Sequence, residues 1–178
     1  MKNYKFKSYF KYILVNILIA ALIVLFLNNY IVSAAKIKGN SMQPSLKSKD
    51  RVLISKFLIK SNNIKRFDII VFNNPREPKI SIIKRVIGLP NEIIKIENGN
   101  VYINNTLLKQ TFLFKEKLFL KKSLNIRALK IPENHFFVLG DNRNNSKDSR
   151  TFGLVPDKNI SGKLFLRYWP LSKFGKIK

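Results

Sequence analysis

The sequence predicts a mainly β domain of curled, barrel-like antiparallel sheets behind a single N-terminal transmembrane helix. A dense apolar run without any charged residue lies close to the N-terminus, at positions 13–27. After position 35, short apolar runs alternate with turn residues, and no long stretch has helical periodicity. A chain of 178 residues accommodates one such domain and a short appendage.

The N-terminal apolar segment, residues 12–32, reaches the ~20 residues that a helix needs to cross a bilayer. Lysines precede it in residues 1–11, and positive charge before a first span favours a cytoplasmic N-terminus. We therefore expect a basic cytoplasmic tail (1–11), an anchor (12–32) and an extracytoplasmic domain (33–178). The alternative is a cleavable signal peptide, because Val32-Ser33-Ala34 has the small residues of a cleavage site.

Short apolar runs in the remainder of the chain predict β-strands, and Asn98-Gly99 between two of them predicts a hairpin turn. Segment 105–130 is less regular and rich in lysine towards its end, and we interpret it as an insertion. The predicted strands are 52–59, 67–72, 80–89, 92–96, 101–107, 136–139 and 160–169.

The composition excludes several kinds of site. Without cysteine there is no disulfide, thiolate nucleophile or Cys-ligated metal, and a single histidine excludes any mechanism that needs two. The net charge of +24 raises the possibility of a polyanion partner. The basic residues are scattered and no nucleic-acid motif accompanies them, so we expect no nucleic-acid partner. The non-enzymatic alternative is a basic membrane protein that binds anionic lipid or nucleic acid in a strongly salt-dependent manner.

Three residues are candidates for nucleophilic chemistry. Ser41 follows the apolar segment in a turn-forming stretch, where most serines are ordinary loop residues. Lys84 lies within an apolar strand, and desolvation there would lower its pKa towards the range of a general base. His135 begins a predicted strand, where a lone histidine is usually structural.

A polar loop follows one predicted strand, at residues 139–153. In this loop Ser146 could orient a neutral lysine. Paired-carboxylate catalysis by Asp141 and Asp148 is disfavoured because arginines lie close to both in the sequence. The polar residues of the loop include Asp141, Arg143, Ser146, Asp148, Ser149 and Arg150.

Five stretches in this order resemble the bacterial type I signal peptidases, a family of membrane-bound Ser/Lys proteases. They are GNSMQPSL (39–46), DRVLISK (50–56), RFDIIVF (66–72), KRVIGLP (84–90) and GDNRNNSKDSRTFG (140–153). Each stretch is a weak signal, but their joint order and spacing make the resemblance specific. The resemblance implies a β-rich catalytic domain whose substrate cleft lies close to the plasma membrane, with no metal or cofactor.

The resemblance also implies roles for individual residues. Ser41 would be the nucleophile, and Lys84 the general base that takes its proton. Ser146 would hold the Lys84 amine in place, and Asp148 and Arg150 would form a structural ion pair near the site.

Three further positions belong to the turn at the nucleophile. Met42 and Pro44 would shape this turn. Gly39 stands where several family members carry a serine that helps to form the oxyanion hole, so the hole would depend on backbone N–H groups, chiefly that of Ser41. Elsewhere in the chain, Asn91-Glu92 stands where the family more usually has Gly-Asp, and Glu92 keeps the negative charge of the aspartate.

The implied activity is endoproteolysis of exported preproteins, after small residues one and three positions before the cut. The expected partners are the signal peptides of these preproteins and the lipid bilayer. A dedicated Ser/Lys processing peptidase of a conjugation or pilus system is the alternative that shares the same motifs.

Overall fold

In the computed structural model, an N-terminal helix precedes two antiparallel sheets. The structure describes residues 2–57, 63–113 and 125–177, and for 2–8 and 26–30 it describes the helical backbone alone. Helix α1 spans Lys2–Tyr30, and a single turn, α2, spans Ser149–Phe152. The strands are β1 (Val32–Lys36), β2 (Arg51–Ser55), β3 (Ile69–Asn73), β4 (Ser81–Gly88), β5 (Ile93–Glu97), β6 (Asn100–Ile103), β7 (Thr106–Leu107), β8 (Ile126–Lys130), β9 (His135–Leu139), β10 (Val155–Pro156) and β11 (Ile160–Trp169).

The larger sheet has seven strands in the order β1-β2-β11-β3-β4-β9-β10, and all its pairs are antiparallel. The prediction of a mainly β fold with antiparallel sheets is confirmed. The sheet is curled, because residues next to β1 and residues of β4 line one cleft although three strands separate them in the sheet.

The expectation of a barrel-like closure is wrong for the part of the chain that the structure describes, where β1 and β10 are both edge strands. Strand β10 has only two residues, Val155 and Pro156. Proline lacks a backbone N–H, so Pro156 cannot donate to a further ladder that would close the sheet.

The smaller sheet has the order β7-β6-β5-β8. Asn98 and Gly99, with φ of 48° and 80°, connect β5 to β6 in the left-handed conformation that a two-residue hairpin turn requires, which confirms the predicted turn. Both ends of the predicted insertion 105–130 belong to this sheet as β7 and β8. Its middle, residues 114–124, lies outside the described residues.

Helix α1 contains most of the predicted anchor, but Val32 already belongs to β1 and pairs with Ser55 of β2. Large apolar side chains between Tyr9 and Leu25 are exposed along the helix. Within the described residues, we find no helix that combines the length and the apolarity needed to cross a bilayer, in contrast to the predicted span over 12–32. The possible cleavage site Val32-Ser33-Ala34 lies within the paired strand β1.

The core positions the site from two sides. One cluster buries Met42 and Leu46 from the β1–β2 connection against Val52 of β2. A second cluster joins β4 and β9 to the smaller sheet. At Gly88 of β4, a side chain would lie 2.3 Å from Ile131 Cδ1, so this glycine lets the two sheets approach closely.

Candidate active site

Ser41 lies in the connection between β1 and β2. Its neighbour Met42 is buried, and the N–H of Leu46 donates to the Met42 carbonyl at 2.9 Å. Gly39 has a φ of +82°, a conformation that glycine adopts without strain, and the Gln43–Pro44 peptide bond is cis. Because apolar residues on its C-terminal side are fixed in the core, the turn holds Ser41 at the wall of a cleft.

Lys84 lies in the middle of β4, where it pairs in register with Ile70 of β3. It is only 4% exposed, and its Nζ donates a hydrogen bond to Ser41 Oγ at 2.6 Å. The fold therefore brings together the two residues that the sequence analysis selected as nucleophile and base, which are 43 positions apart in the chain.

The environment of Lys84 favours a neutral amine. Desolvation by burial lowers its pKa from 10.5 to about 8, and the positive charge of Arg150 acts in the same direction. The carboxylates of Asp148 and Asp141 oppose this shift without cancelling it. A lysine with this pKa is about 10% neutral at pH 7, against ~0.03% for a lysine in water.

Ser146 lies in the loop next to the nucleophile turn, but it makes no hydrogen bond to Lys84. Its Oγ is buried and has no hydrogen-bond partner among the described residues, which differs from the expected contact with the lysine amine. A side chain at Gly140 would lie 2.2 Å from Ser146 Oγ and 2.6 Å from the Ser41 carbonyl oxygen. Gly140 thus allows the loop that carries Ser146 to approach the nucleophile.

Asp148 and Arg150 form an ion pair in the polar loop. Arg150 Nε and Nη2 donate to the two carboxylate oxygens of Asp148 at 2.7 and 2.8 Å, and Asp148 is fully buried. The same carboxylate accepts the N–H of Gly140 at 3.0 Å and caps α2 through the N–H of Arg150. The pair therefore fixes the loop against β9.

A second buried ion pair was missed by the sequence analysis. Arg85 donates to both carboxylate oxygens of Asp141, at 2.8 and 2.7 Å, and also to Ser45 Oγ at 3.0 Å. Its guanidinium carbon lies 4.1 Å from the ring centroid of Phe112. Arg85 is the sequence signal of such a pair, since an arginine inside an apolar strand needs a buried acid, but this signal does not identify which acid.

Two other residues of the polar loop hold it in place, Asn142 against the nucleophile turn and Arg143 against the loop's own backbone. Asn142 donates its N–H to the Ser41 carbonyl at 3.0 Å and its side chain to the Asn40 carbonyl at 3.2 Å. Arg143 donates to the Gly140 carbonyl at 3.0 Å and to the Gln110 side chain, and burial lowers its pKa to about 10. Asn142 thus joins the polar loop to the nucleophile turn through one backbone and one side-chain hydrogen bond.

The cleft beside Ser41 has a volume of about 270 Å³. One wall is formed by residues 35–39, which continue from β1, and the other by residues 81–84 of β4. Its remaining lining residues besides Ser41 are the apolar Met42, Ile54 and Val71. The lining is mostly apolar, and it contains both Ser41 and Lys84.

His135 does not take part in this arrangement. It lies at the start of β9, its Nδ1 is 2.9 Å from the carbonyl oxygen of Glu133, and it does not line the cleft. Within the described residues, no group of three or more His, Asp and Glu side chains could hold a metal ion. The site therefore presents a serine and a lysine as its reactive groups.

Comparisons with known proteins identify the family of the chain. The model of the family described as signal peptidase, peptidase S26, matches residues 10–169. The chain is 33% identical over 174 residues to signal peptidase IB of Staphylococcus aureus, covering 90% of both chains. It is 32% identical over 163 residues to the probable signal peptidase I-2 of Synechocystis sp., covering 89% of this chain and 72% of the relative. Among solved structures it is similar to a signal peptidase I from Enterococcus faecalis V583, at 34% identity and a TM-score of 0.50, covering 57% of this chain and 96% of the other.

Proposed function

The chain belongs to the signal peptidase family, peptidase S26, and is a serine endopeptidase; we propose that it removes signal peptides from exported preproteins with Ser41 as nucleophile and Lys84 as general base. The observation that carries the proposal is the 2.6 Å hydrogen bond between Lys84 Nζ and Ser41 Oγ. A neutral lysine in this position accepts the serine proton as the hydroxyl attacks.

The reaction follows from this pair. Ser41 Oγ attacks the scissile carbonyl, and its proton passes to Lys84. The N–H of Ser41 stabilises the negative charge of the tetrahedral intermediate. The Lys84 ammonium then protonates the leaving amine, and a water molecule, deprotonated by the same lysine, hydrolyses the acyl-enzyme.

The substrate would bind as an additional strand in the cleft. Strand β1 pairs only with β2 among the described strands, and residues 81–84 of β4 precede the segment that pairs with β9. Both walls of the cleft therefore offer backbone groups to an extended peptide. The apolar lining accommodates small side chains at positions −1 and −3, and larger ones would collide with Met42 and Ile54.

We also propose that α1 holds the enzyme at the membrane, with its N-terminus on the cytoplasmic side. Its exposed apolar side chains, such as Leu18 and Leu22, support lipid contact. The test is alkaline extraction of membranes that contain the full chain. Leu18→Lys with Leu22→Lys should move the protein to the soluble fraction, whereas exposed domain substitutions such as Leu171→Lys should not.

The proposed reaction is tested by cleavage of a preprotein with an Ala-x-Ala site, using the detergent-solubilised full chain. Wild type should cut after the second alanine, as seen by N-terminal sequencing of the product. Ser41→Ala should lose nearly all activity. Ser81→Ala is the matched control, because Ser81 lines the same cleft but its hydroxyl donates to Asn73 Oδ1.

Two results would contradict the proposal. Equal cleavage by Ser41→Ala would show that another residue is the nucleophile. Cleavage that is indifferent to a bulky residue at −1 would show that the apolar cleft does not bind this part of the substrate.

A further inference from the structure

One wall of the cleft carries positive charges that have no role in the proposed reaction. Lys36 and Lys38 both line the cleft that contains Ser41, and both are exposed. The opposite wall contains a further basic residue, Lys84, and none of the residues that line the cleft is acidic. The substrate strand would therefore enter an environment with positive charge on one wall and no compensating carboxylate.

The backbone register shows how these lysines would meet a substrate. The N–H of Ile37 donates to the Asp50 carbonyl at 2.8 Å, and the Ile37 carbonyl accepts the N–H of Lys49 at 3.0 Å. Both polar groups of Ile37 thus face the β2 side. Because these groups alternate along an extended chain, those of Lys36 face the open edge.

The side chains alternate as well. Ile37 is buried in the core beneath the cleft, whereas Lys36 and Lys38 point to the opposite, solvent-exposed face. In a peptide bound along this edge, residues −1 and −3 would face the apolar lining. Residues −2 and −4 would then lie on the same face as the two lysines, at the distance of cross-strand neighbours.

We propose that Lys36 and Lys38 make the cleft select substrates with acidic side chains at positions −2 and −4, and discriminate against basic ones. This inference rests on the proposed function, since it needs a peptide bound beside Ser41. Opposite charges that face each other across two strands are favourable and like charges are unfavourable. The selectivity comes from binding, so it acts on KM more than on kcat.

The experiment uses three peptides that share one Ala-x-Ala site and differ only at positions −2 and −4, which carry Glu, Gln or Lys. For the wild-type full chain, we expect kcat/KM to be about two- to fivefold higher for the Glu peptide than for the Gln peptide, and lower again for the Lys peptide. The preference should shrink between 50 and 500 mM salt, because salt screens exposed charges: the Debye length falls from ~10 Å at 0.1 M to ~3 Å at 1 M.

Two matched double variants separate the effect of charge at the cleft from the effect of the protein's net charge. Lys36→Gln with Lys38→Gln should cut the three peptides at similar rates. Lys130→Gln with Lys158→Gln removes the same charge from exposed positions that do not line the cleft, and should keep the wild-type preference.

The outcomes distinguish this inference from the proposed function. If wild type cuts all three peptides equally, or prefers the Lys peptide, the charge selectivity is refuted while the proposed function stands. An unchanged preference in the cleft double variant also refutes it. If wild type cuts none of the peptides, the proposed function fails, and the inference fails with it.

Discussion

Replacing Lys84 by methionine should abolish cleavage and yet stabilise the fold at neutral pH. The lysine is 4% exposed, and burial lowers its pKa from 10.5 to about 8. Each pKa unit corresponds to about 1.4 kcal/mol. At pH 7 the buried ammonium therefore lowers the stability of the folded state by about 3 kcal/mol. Methionine removes this cost and fills a similar volume, but it loses the hydrogen bond to Ser41, which contributes about 1 kcal/mol.

The sign of the pH dependence follows from proton binding. Between pH 8 and 10.5, folded wild type binds fewer protons than the unfolded chain, so its stability rises with pH across this window. At pH 10 the desolvation cost of Lys84 falls to about 1 kcal/mol. Lys84→Met should thus be about 2 kcal/mol more stable than wild type at pH 7 and about equal to it at pH 10.

The assay is urea unfolding of the detergent-solubilised full chain at both pH values. Trp169, the single tryptophan, is half-exposed and supplies the fluorescence signal. Lys158→Met is the control, because this exposed side chain stays in water and should change stability equally at both pH values. If Lys84→Met destabilises the protein by the same amount at pH 7 and pH 10, the lysine is not desolvated and the reasoning is refuted.

Three further predictions concern activity and stability. The kcat/KM of wild type should rise about tenfold per pH unit from pH 6 towards pH 8 and then level off, as Lys84 becomes neutral; a flat profile would count against a lysine base. Gly140→Ala should reduce cleavage about 100-fold, since its Cβ would lie 2.2 Å from Ser146 Oγ; Gly153→Ala has open space around it but a φ of +89° that favours glycine, so it should cost about 1–3 kcal/mol of stability and keep activity. Asp141→Asn should lower unfolding stability by about 3–5 kcal/mol, because the charge that faces the buried Arg85 is lost; a loss below ~1 kcal/mol in urea unfolding would contradict a structural ion pair.

The strands of the domain could be predicted where local chemistry determines them. Short apolar runs between turn residues predicted β3, β4 and β5 to within two residues, whereas a turn at Asn104 and Asn105 divides the predicted strand 101–107 into β6 and β7. Asn98-Gly99 predicted its hairpin because both residues tolerate a positive φ. These features depend on neighbouring residues alone, so a single sequence contains the information.

Other parts of the fold depend on distant partners. Residues Val32 to Lys36 continue the apolar character of the N-terminal segment, and only their pairing with β2 makes them a strand. Whether the sheet closes is likewise decided at its edges, where Pro156 ends the ladder of β10. Pro156 is visible in the sequence, but neighbouring residues predict neither the pairing of β1 nor the position of β10 at the sheet edge.

In the active site, too, some residues could be predicted from the sequence and others depend on distant partners. Ser41 and Lys84 could be selected from their surroundings and from the family motifs, and the structure places them in contact. The ion-pair partner of Asp141 could not be selected in this way, because arginines at 143 and 150 are closer in sequence than Arg85, which is 56 positions away. The expected contact between Ser146 and Lys84 depends on side-chain positions within about an ångström, and such precision is beyond pattern analysis.

The most direct measurement of the central claim is to trap the acyl-enzyme. Wild type would be quenched with acid during turnover of an Ala-x-Ala peptide ester, digested and mapped by mass spectrometry. We expect an acyl group on Ser41, absent from Ser41→Ala and strongly reduced in Lys84→Met, while Ser81→Ala labels normally. An acyl group on a different residue, or normal labelling of Ser41 without Lys84, would contradict the assignment of these two residues as nucleophile and base.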